Sequence, residues 1–134
     1  MKRNSLADET ETELPNVVIP SSTCDEGSVF ASLSASLAEI RKLNGVIGYI
    51  LRSSSSAMLD LSELDKISQY AALAYQLNES SLDIAKQLNL AEVESVLVEG
   101  IKLKVLFMRI GENKISVFME KNANHSDIIK RILI

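Results

Sequence analysis

The sequence predicts an α+β chain with three helices and five strands, in the order helix, two strands, helix, three strands, helix. Apolar residues recur at three- and four-residue spacing in three segments, which is typical of amphipathic helices. Short apolar, β-branched segments stand between them, and glycine, asparagine and serine separate these segments. The chain has 134 residues, of which 46% are hydrophobic, so it is long enough to bury one core.

The first predicted helix begins at Ser28, whose hydroxyl is a favourable N-cap. Leu33, Leu37 and Ile40 lie on one face of this helix. The Asn-Gly pair at 44–45 is expected to end it after roughly four turns. Residues 1–27 are rich in acids, serine and threonine and hold both prolines, so we expect a disordered acidic tail before the domain of residues 28–134.

Two strands are predicted next, "VIGYILRS" (46–53) and "AMLDL" (57–61), with a run of four serines between them. A serine nucleophile would need a nearby base, and the only histidine of the chain is His125. A phosphate-binding loop would need glycines, which this run lacks. Serine hydroxyls do bond to nearby backbone in turns, so we interpret Ser53–Ser56 as the turn of a hairpin.

The second helix is predicted from about 62 to 88, because no glycine or proline follows until residue 100. Two capping signals precede it, Asp60 with Glu63 and Ser62 with Asp65. Three strands are then expected at residues 92–99, 101–110 and 114–120. In the final segment, Asn124 and Asp127 form a cap for a short terminal helix that docks on the core.

The charge is unevenly distributed along the chain. Residues 1–27 hold six acidic and two basic residues, a difference that equals the whole net charge of −4. The remainder holds twelve acidic and twelve basic residues, so it presents no excess of positive charge to a phosphate backbone. Nucleic acid is therefore not an expected partner.

The single cysteine, Cys24, cannot form an internal disulfide, and with one histidine it cannot complete a zinc site of the usual composition. We infer a reducing compartment and expect a cytoplasmic protein. No apolar run approaches the roughly 20 residues of a membrane span, and the N-terminus lacks the apolar centre of a signal peptide. The sequence thus predicts neither a membrane span nor secretion.

The sequence contains no convincing catalytic, cofactor-binding or metal-binding site. His125 with Asp127 lies in a capping segment, where a surface histidine is common. Glu92, Glu94 and Glu99 flank a strand, and we interpret them as solvated residues that deter edge pairing. The cations Lys102, Lys104 and Arg109 are predicted at exposed strand positions, which leaves open a basic spot for an acidic protein partner.

The order of elements resembles that of the Roadblock family of dynein light chains and GTPase-associated proteins. "LNGVIGYILRSS" is similar to that family's junction between the first helix and first strand, and "VLVEGIKLKVLFMRIGENKISVFM" to its third to fifth strands. The resemblance covers about residues 28–134 and leaves out the acidic tail. In the first hairpin turn, where members often have Asp or Gly, this chain has serines.

The resemblance implies a five-stranded antiparallel sheet with the long helix on one face and two shorter helices on the other, a profilin-like arrangement. Members of the family are not usually enzymes. They dimerise and act as platforms for small Ras-like GTPases, or as structural adaptors in assemblies such as dynein. We therefore expect a non-enzymatic, homodimeric platform without cofactors that binds a GTPase, with a structural adaptor as the alternative.

The long helix also predicts a dimer, because its apolar arc spans roughly half the circumference, whereas packing on one sheet needs about a third. By the family's strand order, residues 94–99 would be a sheet edge open to pairing. We expect two copies to join antiparallel through this strand and to pack their long helices side by side. The predicted interface consists of Tyr70, Leu73, Leu77, Glu94, Ser95, Val96, Leu97, Val98 and Glu99.

Overall fold

The computed structural model describes residues 21–91 and 93–133, with side chains from residue 27 onward. Its three α-helices and five strands follow the predicted order, which confirms the predicted fold class. They are α1 (Ser21–Ile40), β1 (Val46–Arg52), β2 (Ala57–Leu61), α2 (Ile67–Gln87), β3 (Ser95–Glu99), β4 (Leu103–Ile110), β5 (Asn113–Glu120) and α3 (His125–Leu133).

The first helix is longer than predicted, since it begins at Ser21 and not at Ser28. Residues 21–27 contain no proline, and an established helix extends at little further cost. The predicted tail therefore overlaps α1 at residues 21–27, and the rest of it lies outside the described residues. The chain divides into one compact unit that ends at Ser32 and another that begins at Leu33 and holds the sheet, α2 and α3.

The five strands form one antiparallel sheet in the order β2-β1-β5-β4-β3. Helix α2 packs on one face of this sheet, where buried residues of the helix and strands form a single cluster: Ile50, Leu61, Tyr70, Leu77, Val105, Phe107 and Phe118. The ring centroids of Tyr70 and Phe118 are 4.7 Å apart. These contacts fix α2 on the sheet by burial of large apolar side chains.

The opposite face of the sheet is covered by α3 and by the part of α1 that follows Ser32. Strand residues alternate between faces, so those next to the α2 cluster, such as Leu51, Leu106 and Val117, point the other way and are buried there. The Ser34 hydroxyl lies 2.9 Å from Met58 Sδ, which places this part of α1 on the same face. As predicted, α2 lies on one face and two helices lie on the other, although α1, with 20 residues, is nearly as long as α2, with 21.

The serine run forms the turn between β1 and β2, as the sequence predicts. The Ser53 N–H donates to the Ser56 carbonyl at 2.8 Å. The Ser53 hydroxyl oxygen accepts from the N–H groups of Ser55 and Ser56 at 3.4 and 3.1 Å. The hydroxyl thus satisfies backbone donors within its own turn.

The two predicted capping signals of the second helix are wrong. Asp60 lies in β2, and its carboxylate is 3.4 Å from Arg41 Nε. The Ser62 hydroxyl donates to the Ile47 carbonyl at 2.9 Å. Because these contacts engage both side chains, the chain makes a 3₁₀ turn at Leu64–Lys66 first, and α2 begins at Ile67. The cap of α3 is confirmed, since the Asp127 N–H donates to Asn124 Oδ1 at 3.0 Å.

No helix within residues 21–91 and 93–133 is long and apolar enough to cross a bilayer.

The stability of the fold is expected to fall in alkaline solution because two tyrosines prefer their protonated form. Burial, with help from the hydrogen bond to Glu63, raises the pKa of Tyr70, and burial with nearby Asp60 raises the pKa of Tyr49. The unfolded chain loses these phenolic protons first. The contribution of these two protonated tyrosines to the free energy of unfolding is therefore complete below about pH 10. It is lost as the pH rises through the pKa values that the tyrosines have in the folded chain.

This expectation can be checked by urea unfolding at about pH 9 and about pH 11. Tyr70→Phe should lose less of its free energy of unfolding between these two pH values than the wild type does. Tyr75→Phe is the control, because the Tyr75 side chain is 58% exposed. Equal losses in the wild type and in Tyr70→Phe would contradict the prediction.

Candidate functional site

The edge strand β3 is the first feature of the candidate site. It stands last in the strand order, beyond β4, which confirms the predicted sheet edge. The N–H of Arg109 donates to the Glu94 carbonyl, and that of Gly100 to the Leu103 carbonyl. In an antiparallel ladder every second residue faces the neighbouring strand, so residues 94, 96, 98 and 100 face β4. The backbone groups of Ser95, Leu97 and Glu99 therefore point outward from the sheet.

Apolar side chains are exposed beside this edge on the face that carries α2. Val96 and Val98 stand opposite Phe107 and Val105, which belong to the α2 cluster. Val96 packs against that cluster, whereas Val98 is 44% exposed. Ile101, in the turn that follows, is 90% exposed. An unpaired strand edge flanked by exposed apolar side chains is a typical pairing surface.

The structure corrects the predicted role of α2 in the interface. Tyr70 and Leu77 are buried in the cluster against the sheet, so their side chains are not available to a partner helix. Leu73 is partly buried against the same cluster. The buried arc runs around the helix from Leu77 to Asn78 and includes two polar residues, Asn78 and Ser81. The sequence could not place this arc, because hydropathy alone would leave both polar residues outside it.

Arg109 is the partner that allows those polar residues to be buried. Its Nη2 donates to Asn78 Oδ1 at 2.5 Å and to Ser81 Oγ at 3.2 Å. Its guanidinium carbon also lies 5.8 Å from the centre of the Phe107 ring. The predicted exposed position of Arg109 is therefore wrong, since the side chain is half-buried and joins β4 to α2.

Three cations form a row across the end of the sheet that faces the middle of α2. In the strand register Lys114 stands opposite both Arg52 and Arg109. Like charges at directly opposed positions repel. In the described part of the chain the side-chain ion pairs join other residues. Of this row, the pair of Arg109 and Lys114 could have been found in the sequence, because these two residues flank the Gly-Glu turn symmetrically.

A cavity of about 140 Å³ lies beside this row, between α2 and the sheet. Its apolar lining includes Ile50, Phe107 and Ala74, and Ser116 adds a buried hydroxyl. Arg52 and Lys114 line it on the sheet side. On the helix side it is lined by residues that include Tyr75, Asn78 and Glu79.

The remaining candidates that lie among the described residues are not grouped into a reactive site. The predicted exposure of Lys104 is wrong, because this lysine is 5% exposed and its Nζ lies 2.9 Å from His125 Nδ1. Glu94 and Glu99 are exposed, and Glu92 lies outside the described residues. Over the ranges that the structure covers, no three His, Cys, Asp or Glu side chains are grouped to hold a metal ion.

Comparison with known proteins gives one kind of match, a likeness to solved structures. No protein-family model matches the chain, and no curated protein does. The Roadblock/LC7 domain from Streptomyces avermitilis is 14% identical with a TM-score of 0.61, over 78% of this chain and 88% of that one. The gliding protein MglB from Thermus thermophilus is 13% identical with a TM-score of 0.62, over 78% and 83%.

MglB from Myxococcus xanthus is similar to the same extent, with 15% identity and a TM-score of 0.63 over 78% of this chain and 81% of that one. These identities are low, so the likeness concerns the fold. The strand order, the long helix on one face and the two helices on the other agree with the resemblance found in the sequence. The chain therefore has a Roadblock-like fold.

Proposed function

We propose that this protein is a non-enzymatic, dimeric platform that binds a small Ras-like GTPase in the cytoplasm. The observation that carries the proposal is the outward-facing edge of β3, with exposed Val98 and Ile101 beside it, in a Roadblock-like fold. The resemblance of the sequence to GTPase-associated Roadblock proteins supplies the class of partner.

The outward-facing backbone groups of β3 suggest the register of the dimer. A twofold antiparallel pair must join residues that both point outward, so it can place Leu97 opposite Leu97 of the second copy. Ser95 then stands opposite Glu99 of that copy. This register uses the whole of β3 and joins the two sheets into one continuous sheet.

The flank of α2 that would meet the second copy follows from the position of the cavity. The cavity opens on the Tyr75 and Asn78 side of the helix, toward β1 and β5. The opposite flank, which carries Leu73 and Ile84, therefore faces the β3 side of the sheet. Ile84 is 41% exposed, and a second α2 beside it would cover this side chain. In this revised interface Leu73 is kept, and Tyr70 and Leu77 stay in the core.

The platform would act on the GTPase by position. A rigid pair of α2 helices on a continuous sheet can hold the switch segments of a GTPase in one of their conformations. The conformational equilibrium shifts only as far as the two conformations differ in affinity for the platform. Nucleotide state should therefore change the affinity of the complex.

Affinity capture from a native lysate tests this function. The tagged protein is incubated with GDP or with a nonhydrolysable GTP analogue, and bound proteins are identified by mass spectrometry. We expect a small GTPase to be enriched by at least about fivefold in one nucleotide state. Val98→Asp, which places a charge beside the β3 edge, should lose the GTPase. Leu64→Asp should retain it, because Leu64 is 70% exposed in the 3₁₀ turn.

Recovery of filament or motor components without a GTPase would overturn the proposal and favour the structural adaptor. Equal recovery of a GTPase by Val98→Asp and the wild type would show that binding does not need the β3 surface.

A further inference from the structure

A second binding surface lies on the side of α2 away from β3. Its centre is the cavity of about 140 Å³ lined by Ile50, Ala74 and Phe107. An apolar cavity of closely similar volume is known to accommodate a group as large as benzene. The cavity therefore has room for one apolar side chain of a ligand.

The rim of this cavity carries more positive than negative charge. Arg52 and Lys114 line it, and Arg109 stands next to Lys114 in the register. The acidic residue of the lining is Glu79, whose Oε2 accepts from Asn78 Nδ2 at 3.4 Å. Arg52 and Lys114 repel each other across β1 and β5, and an anion placed between them would relieve that repulsion.

Exposed apolar side chains on α2 continue the surface beyond the cavity. Tyr75 lines the cavity and is 58% exposed. Leu82 is 43% exposed and lies two turns further along the same side of the helix, since positions seven apart are offset by only about 20°. The surface thus combines a partly apolar cavity, an apolar helix flank and a row of cations.

We propose that this surface binds an acidic segment of a partner protein, which inserts one apolar side chain into the cavity and places carboxylates against Arg52 and Lys114. A peptide fits these features better than a nucleic acid, because the cations form one short row beside a cavity whose lining includes the apolar side chains of Ile50, Ala74 and Phe107. The proposal goes beyond the platform function, because it depends neither on the dimer nor on a GTPase.

The proposed binding of an acidic peptide is tested with three tripeptides. Each is titrated into the ¹⁵N-labelled full chain, and binding is followed by NMR. The probe is acetyl-Asp-Leu-Asp-amide. Acetyl-Asn-Leu-Asn-amide lacks the charges, and acetyl-Asp-Gly-Asp-amide lacks the apolar anchor. We expect the probe to move the amide signals of Ile50, Arg52, Tyr75 and Ser116 with a saturating curve. Each of the other two should bind at least roughly tenfold more weakly.

Lys114→Gln should weaken the binding of the probe peptide, and Lys121→Gln is the matched control variant. Lys121 is exposed and lines a different pocket with Lys102, and both variants remove one positive charge. The proposal is overturned if the probe moves none of these amide signals or if the three peptides bind with equal affinity. It is also overturned if the two variants reduce the affinity for the probe equally. Binding of the glycine peptide as tightly as the probe would also overturn it, because the cavity would then have no role.

Discussion

Gly48→Ala is expected to lower the free energy of unfolding by about 3 kcal/mol or more, because β1 and β2 have no room for a side chain at this position. A Cβ on residue 48 would overlap the Asp60 carbonyl oxygen and lie 2.7 Å from Leu61 Cα. Both are backbone atoms of the paired strand, so no side-chain rotation can relieve the overlap. The strands must separate or shift, which weakens the pairing of Gly48 with Leu61.

Thermal unfolding followed by circular dichroism checks this expectation, and a loss of roughly 10 °C or more in melting temperature is predicted. Gly27→Ala is the matched control, since a Cβ there meets nothing within 4 Å and the residue lies inside α1. That change should be neutral or stabilise by up to about 1 kcal/mol. Equal melting temperatures for Gly48→Ala and the wild type would contradict the close approach of β2 to Gly48.

Leu97→Pro is expected to convert the proposed dimer into a monomer while leaving the fold intact. The Leu97 N–H points outward from the sheet, because the alternate residues of β3 bond to β4. Proline therefore removes a donor from the edge and leaves the ladder to β4 complete. In the twofold register the change removes one such bond from each copy. A loss of about 1 kcal/mol each, with the poorer fit of the ring, weakens the dimer by roughly 100-fold.

Light scattering at micromolar concentration measures this effect. The wild type should have the mass of two chains and Leu97→Pro that of one. Leu97→Thr retains the N–H and strand propensity, so it should stay dimeric. A wild-type mass of one chain contradicts the dimer. A dimeric Leu97→Pro variant would place the interface elsewhere, and circular dichroism confirms that each variant is folded.

The order of the elements could be predicted from the sequence because its signals are local. Strands β1, β4 and β5 are short, apolar and bounded by turn residues, and the turns after Arg52 and Ile110 lie where serine and glycine predict them. The cap of α3 is also local, since Asn124 and Asp127 are three residues apart. Each of these features depends on a few neighbouring residues.

The buried face of α2 depends on contacts with distant parts of the chain, and there the prediction failed. Arg109, which lies on β4, donates to Asn78 Oδ1 and Ser81 Oγ, and this contact with a distant strand helps to satisfy the two buried polar side chains. The same holds for Lys104, which the sequence placed at the surface. It is buried because His125, on α3, supplies a polar partner.

The cation row and the cavity were not predicted as a site, although the sequence left open a basic spot around Arg109. Arg52, Arg109 and Lys114 come from three strands, and their alignment depends on register. The register of a hairpin follows from the length of its turn, so the pairing of Arg109 with Lys114 could have been predicted from the sequence. The pairing of β1 with β5 could not be predicted in this way, because β2, α2, β3 and β4 lie between them in the chain.

The pairing of β1 with β5 also constrains the order in which the chain can fold. The hairpin of β1 and β2 and the meander of β3, β4 and β5 each close through short turns, so they can form quickly and separately. They meet at the seam between β1 and β5, whose paired residues are roughly 60 to 70 positions apart, and closing such a loop has a large entropic cost. During synthesis, β1 therefore cannot pair with β5, its neighbour toward the centre of the sheet, until β5 has left the ribosome. We expect the joining of the two halves at this seam to be the slow step of folding.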